Sequence, residues 1–211
     1  MFTAGDRSPQ DVLQQADRSL DRLNLSREEL ESIIASYDGN LRYIDDNLKR
    51  LLQKLAELGL VDRTVLVITA DHGEGLKQHG TFGHFRGFVN FADVSAPEMV
   101  LYDEVIHVPL IIQHPRLKPI RIPAQVRLVD VVPTVLDVLG IPMPVHLDGA
   151  SLAPVLAGIE TADRLVFSEA HPFAIVRSRE VKAVFDEPRQ HTVMVFDLSS
   201  DAYEQQNRQS E

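Results

Sequence analysis

"TVLVITADHGEGLKQHGTFGHFRG", residues 64–87, changes texture abruptly: a run of apolar and β-branched residues gives way to a polar stretch rich in glycine and histidine. An unbroken run such as "TVLVIT" at 64–69 predicts a strand buried on both faces of an α/β sheet, because a strand with one wet face alternates apolar with polar residues. A second run, "HVPLIIQ" at 107–113, predicts a companion strand, with a helix expected between the two. The loop from Ala70 to about Asn90 then stands beyond the carboxyl end of the first strand. Open α/β sheets gather ligands there, since loops at that edge are free of helix packing and can converge on one point.

Upstream of the strand, residues 9 to 23 read as a helix, and Ser26 followed by Glu29 is a capping-box signature for a second one. Leu41, Ile44, Leu48, Leu51, Leu55 and Leu58 recur at spacings of three and four, so they share one face of a helix that ends at Gly59 and is expected to pack on something. Downstream, "LVDVVPTVLDVLG" predicts a helix from about 130 to 139, with Asp130 as N-cap, Pro133 in the first turn and Gly140 as stop. "DGASLAPVLAG" predicts a short helix after the turn at Asp148 and Gly149. "RLVFSEA", "FAIVRSR", "EVKAVFD" and "HTVMVFDL" then follow as four short β-type segments. The expected architecture is α/β, a sheet sandwiched by helices over residues 1–160, with a small antiparallel β subdomain over 161–211 whose last polar residues fray.

Composition narrows the function classes. With 211 residues, 44% hydrophobic and 25% charged, the chain can bury a core. A net charge of −10 and no Lys/Arg-rich run argue against a nucleic-acid partner. No apolar stretch reaches the roughly 18 residues that cross a bilayer. There is no cysteine, which removes disulfides and thiolate ligands from consideration.

Asp71 and His72 are the first candidates for chemistry. A carboxylate and an imidazole side by side at a strand end can both reach a divalent cation such as Ca²⁺, Mn²⁺ or Zn²⁺. The same pair also fits an Asp capping the next helix beside a surface His. His79, His84 and Arg86 crowd the same loop in a chain with only eight histidines, and loops are where binding groups concentrate. Ordinary surface histidines and solvated Lys77 and Arg86 account for the same residues. His107, in a strand entry, reads as structural, and His114, His146, His171 and His191 are assigned no role. Asp38, Asp45 and Asp46 lie on the long helix and face water.

"YDGNLRYIDDNLKRLLQKL", "TVLVITADHGEGLKQHGTFGH", "LYDEVIHVPLII", "LVDVVPTVLDVLGIP", "LDGASLAPVLAG" and "VFDLSSDAYEQQN" follow one another over residues 37–207. In that order they resemble the C-terminal part of the catalytic domain of sulfatases, in the alkaline-phosphatase-like superfamily. The resemblance implies a metal-dependent hydrolase of sulfuric or phosphoric esters, with Asp71 and His72 as one pair of metal ligands, and Ca²⁺ or Mn²⁺ as the foremost metals. It implies a small-molecule or glycan sulfate ester as substrate, and His79 and Arg86, in the same loop, are the candidate substrate-binding residues. In many relatives a Lys that contacts the transferred group stands five places after the His of the "HG" pair. Here that place is His84, which as imidazolium or general acid could serve the leaving oxygen.

Two departures from the family pattern qualify these expectations. Sulfatases carry a Cys-x-Pro-x-Arg-type motif whose Cys or Ser becomes formylglycine, and this chain has no such motif. The formylglycine nucleophile is therefore expected in an N-terminal part outside this chain, leaving the chain by itself inactive. Between His84 and "LYDE" lies extra sequence, "FRGFVNFADVSAPEMV", suited to a lid or a specificity element. The competing readings are a noncatalytic binding or interaction remnant of the fold, and a phosphodiesterase or phosphoglycerol transferase of the same superfamily.

Overall fold

A computed structural model describes residues 25–79, 82–84, 101–115, 117–170 and 172–209. The helix expected at 9–23, Arg86, His171 and the extra segment 85–100 lie outside the described residues. The chain divides into two compact units, Met1–Thr64 with Ile68–Ile111, and Val65–Val67 with Ile112–Glu211.

In the first unit, helix α1 spans Arg27–Glu57 and opens on the capping box read from the sequence. The Ser26 hydroxyl accepts from the Glu29 N–H at 3.2 Å, and the Glu29 carboxylate accepts from the Ser26 N–H at 2.8 Å. Two orphan donors of the first turn are thereby satisfied. The helix stops where Gly59 turns left-handed, at φ +64°. Its apolar stripe departs from expectation. Ile33 is buried against Leu25 and Leu76, whereas Leu41, Ile44, Leu51 and Leu58 are exposed. Periodicity decides which side chains share a face, but burial requires a second surface, and the described residues lay none over this stretch.

Strand β1, Leu66–Thr69, pairs with a later strand, Leu110–Gln113, in a two-stranded sheet. β1 is half-buried rather than buried on both faces, because the sheet it joins has only these two strands among the described residues. After β1 come two short strands, β2 at Gly75–Leu76 and β3 at Phe82–Gly83, paired antiparallel with Gly75 opposite Gly83. Among the described residues between the two apolar strands, helix is confined to a single turn, α2, Asp103–Ile106, shortly before β4, Leu110–Gln113.

The second unit is built on a 3₁₀ turn, Leu128–Asp130, running into α3, Val131–Leu139, which ends at left-handed Gly140. Asp130 makes no N-cap hydrogen bond to α3. Its backbone is already helical, so its carboxylate points elsewhere: fully buried, it accepts from Arg127 at 2.8 Å and from the Ala150 N–H at 2.9 Å, and pairs with Arg164 at 3.1 Å. Burial pushes the Asp130 carboxyl up, and the bonds from Arg127, Ala150 and Arg164 outweigh it, leaving the group below the usual carboxylate value. Thr134 continues the network, donating to the Asp130 carbonyl at 2.6 Å and accepting from the Leu152 N–H at 2.8 Å. That second bond fixes the start of α4, Ala153–Leu156.

The four β segments form a sheet in chain order: β5 Val166–Ala170, β6 Phe173–Arg177, β7 Val181–Asp186 and β8 His191–Asp197. All pairings are antiparallel, and Phe173, Ile175, Val184 and Phe196 are buried. The polar tail expected to fray is ordered through residue 209. The Asn207 side chain accepts from the Val195 N–H and donates to the Val193 carbonyl, and the Arg208 N–H donates to the Val195 carbonyl. The tail thus covers the hydrogen-bonding edge that β8 would otherwise present to solvent. A buried ion pair, Lys182 to Glu204 at 2.5 Å, ties it to the sheet.

Candidate functional site

The chain leaves β1 at Thr69, whose hydroxyl donates to the Pro109 carbonyl at 2.8 Å, and turns through Asp71, His72 and Gly73. Gly73 is required by a close approach: its N–H donates to the Val105 carbonyl at 2.6 Å, and a Cβ there would collide with the Glu104 carbonyl. With the Glu74 N–H also donating to Glu104, at 3.0 Å, the loop is stapled to α2 just past the candidate ligands.

Asp71 is 88% exposed, and its Oδ2 lies 3.7 Å from Nε2 of His72. On the other side of the His72 ring, Nδ1 lies 2.8 Å from the Gly73 carbonyl, an acceptor only, so this contact is a hydrogen bond when Nδ1 carries the proton. Nε2 then keeps its lone pair and faces the same side as the Asp71 carboxylate. A second contact of this kind is what orients a metal-binding histidine. The two donors have the hard and borderline chemistry a divalent cation takes, and one ion can bridge a gap of this size. They amount to part of a ligand set: among the described residues, no three His, Asp or Glu converge closely enough to hold a metal.

His84 stacks on His72, ring centroids 3.7 Å apart and planes 20° from parallel. Its Nδ1 lies 3.0 Å from Oε2 of Glu74. His79 is 8% exposed, with Nδ1 2.6 Å from Glu104 and its ring stacked on Tyr102 at 3.5 Å. The structure therefore brings Asp71, His72 and His84 together and holds His79 beside α2, while Lys77 sits in the same turn with φ +75°. His107 is mostly exposed, 3.8 Å from Asp103, on the loop before β4.

Sequence reasoning missed Glu74, Tyr102 and Glu104. Glu104 lies in the "LYDE" string, but nothing local says that it meets a histidine 25 positions away. Glu74 finds His84 through the β2–β3 register, and two-residue strands are too short to announce themselves by alternation.

The described α/β elements, with a four-stranded antiparallel sheet downstream, are those of an alkaline-phosphatase-like fold. The Sulfatase family profile matches residues 2–141, and the profile described as N-sulphoglucosamine sulphohydrolase, C-terminal, matches residues 97–210. The chain belongs to the sulfatase family and corresponds to the C-terminal part of its fold. It is 32% identical to rat arylsulfatase K over 145 residues, covering 68% of this chain and 23% of that protein. It is also 32% identical to an N-acetylglucosamine-6-O-sulfatase of Bacteroides thetaiotaomicron over 128 residues, covering 60% of this chain and 20% of that protein. The chain thus spans about a fifth to a quarter of the length of these curated relatives. Among solved structures it shares its fold with one in complex with its substrate D-glucosamine-2-N,6-O-disulfate, at TM-score 0.68 and 24% identity, over 94% of this chain and 40% of that one. A crystal structure of yidJ from Bacteroides fragilis, a candidate sulfatase, gives TM-score 0.72 at 20% identity, over 98% of this chain and 44% of that one.

Proposed function

We propose that this chain is the C-terminal part of a metal-dependent sulfatase acting on a small-molecule or glycan sulfate ester, and that Asp71 and His72 are its contribution to the metal site. The observation that carries the reading is the His72 geometry: Nδ1 turned to the Gly73 carbonyl and Nε2 3.7 Å from the Asp71 carboxylate. A cation held there would act as a Lewis acid on the nonbridging oxygens of the ester. His84, stacked on His72, is the candidate to hold or deliver a proton at the leaving oxygen. His79 and Arg86 are the candidates for binding substrate. The glucosamine disulfate bound by one structural relative, and the activity named for the Bacteroides thetaiotaomicron protein, favour a sugar sulfate as the ester. The nucleophile, a formylglycine by the family pattern, would come from sequence outside this chain, which has no cysteine.

A second reading, a noncatalytic remnant, draws on the exposure of Asp71 and on the incomplete ligand set among the described residues. Calorimetric titration of the purified chain with Ca²⁺ and Mn²⁺ separates the two. Weak binding that disappears in the Asp71→Ala, His72→Ala double variant is expected; equal heats from both proteins would reject the pair as ligands and favour the remnant.

A further inference from the structure

The sequence runs Asp71, His72, Gly73, Glu74, and the first two account for the metal pair; Glu74 is left without a role. It is half-buried, and its two oxygens differ. Oε2 meets Nδ1 of His84 at 3.0 Å, while Oε1 is buried and has no hydrogen-bond partner among the described residues. A carboxylate oxygen shielded from water without a partner is costly.

The backbone explains how the pair meets. β2 and β3 pair with Gly75 opposite Gly83 and Leu76 opposite Phe82. Extending that antiparallel register by one residue sets Glu74 opposite His84. Both chain ends of the contact are also anchored: Glu74 by its N–H to the Glu104 carbonyl, and the His84 ring by stacking on His72. The two stacked rings are treated alike, each with Nδ1 directed at an oxygen that can only accept, the Gly73 carbonyl for His72 and a carboxylate for His84.

We propose that Glu74 is the positioning residue of His84: it fixes the imidazole as its Nδ1–H tautomer and sets the ring plane, so that His84 acts through Nε2. In an unrestrained imidazole neither orientation nor tautomer is fixed, and a second hydrogen bond is what decides which nitrogen carries the proton. Glu74 need not touch substrate or metal. Its consequence for chemistry, delivery of the His84 proton from a defined nitrogen, rests on the proposed role of His84; the tautomer itself does not.

Long-range ¹H–¹⁵N correlation spectra of the ¹⁵N-histidine-labelled chain, recorded near pH 9 where an ordinary imidazole is neutral, read the tautomer directly, with His84→Asn supplying the assignment. In the unaltered chain the His84 signals are expected to have Nδ1 at the protonated end of the nitrogen range and Nε2 at the unprotonated end. Glu74→Gln retains an acceptor oxygen and should keep that pattern. Glu74→Ala should exchange or average the two nitrogens while His191, remote in sequence and on β8, stays unchanged. An Nε2–H tautomer in the unaltered chain, or a His84 pattern indifferent to Glu74→Ala in a chain whose circular dichroism is unchanged, would overturn the proposal. Should Glu74→Ala not fold, the unaltered chain and Glu74→Gln still decide it. Because these spectra need no metal, they can succeed where the Ca²⁺ and Mn²⁺ titration fails, and the reverse, so the two ideas stand or fall separately.

Discussion

Asp130 illustrates how one side chain can carry a fold. It is fully buried and holds Arg127, Arg164 and the Ala150 N–H at once. Removing one member of a buried charged set leaves the others uncompensated, typically at about 3–5 kcal/mol. Asp130→Ala should therefore lower the unfolding free energy by about that amount in a urea titration; a loss below about 1 kcal/mol would show the arginines finding other partners. The same carboxylate makes stability depend on acid. Its folded-state pKa lies below the usual value, so its contribution is complete above about pH 3.9, the ordinary Asp value, and drains away as pH falls from there through the depressed folded value. The urea midpoint of the unaltered chain should fall over that window more steeply than that of Asp130→Ala. The sequence suggested an N-cap here. The residue's place at the head of α3 was legible, but the arginine 34 positions later was not.

Among elements, the tail at 201–209 reverses expectation most clearly. A polar terminus predicts fraying, yet Asn207 and Arg208 satisfy the exposed edge of β8, and Glu204, with φ +56°, holds a backbone conformation that a non-glycine residue adopts only under constraint. Its carboxylate is held in the buried pair with Lys182. Glu204→Ala removes the lysine's buried counter-ion and should destabilise by about 3–5 kcal/mol, whereas combining it with Lys182→Met should recover much of the loss, because the buried charge left behind is then removed too. Thermal unfolding of the four proteins of this cycle gives the coupling; additive effects would mean that the pair is not energetically linked. By contrast, β5 to β8, α3 and the capping box of α1 fell where the pattern put them. Each of those is specified by neighbours a few residues apart.

At the scale of the whole chain, the outstanding feature is the apolar stripe of α1, where Leu41, Ile44, Leu51, Leu52 and Leu58 are exposed in one helix. Contiguous apolar surface of this kind drives association. Sedimentation velocity should show self-association that rises with concentration and is relieved by Ile44→Lys with Leu51→Glu; a monomer at all concentrations would show the stripe is not adhesive. The division between sequence and structure follows the range of the forces involved. Sequence alone determined the family through the order of its motifs, and the strand that ends at the candidate site, α1, α3 and the strands β5 to β8 through periodicity, caps and turns, which act over a few residues. Tertiary structure decided what those pieces touch: that His84 lies on His72 and faces Glu74, that His79 is clasped by Tyr102 and Glu104, that Asp130 is a buried anchor rather than a cap, and that the tail closes a sheet edge. These depend on register and on contacts between residues far apart in the chain, and no local pattern records them.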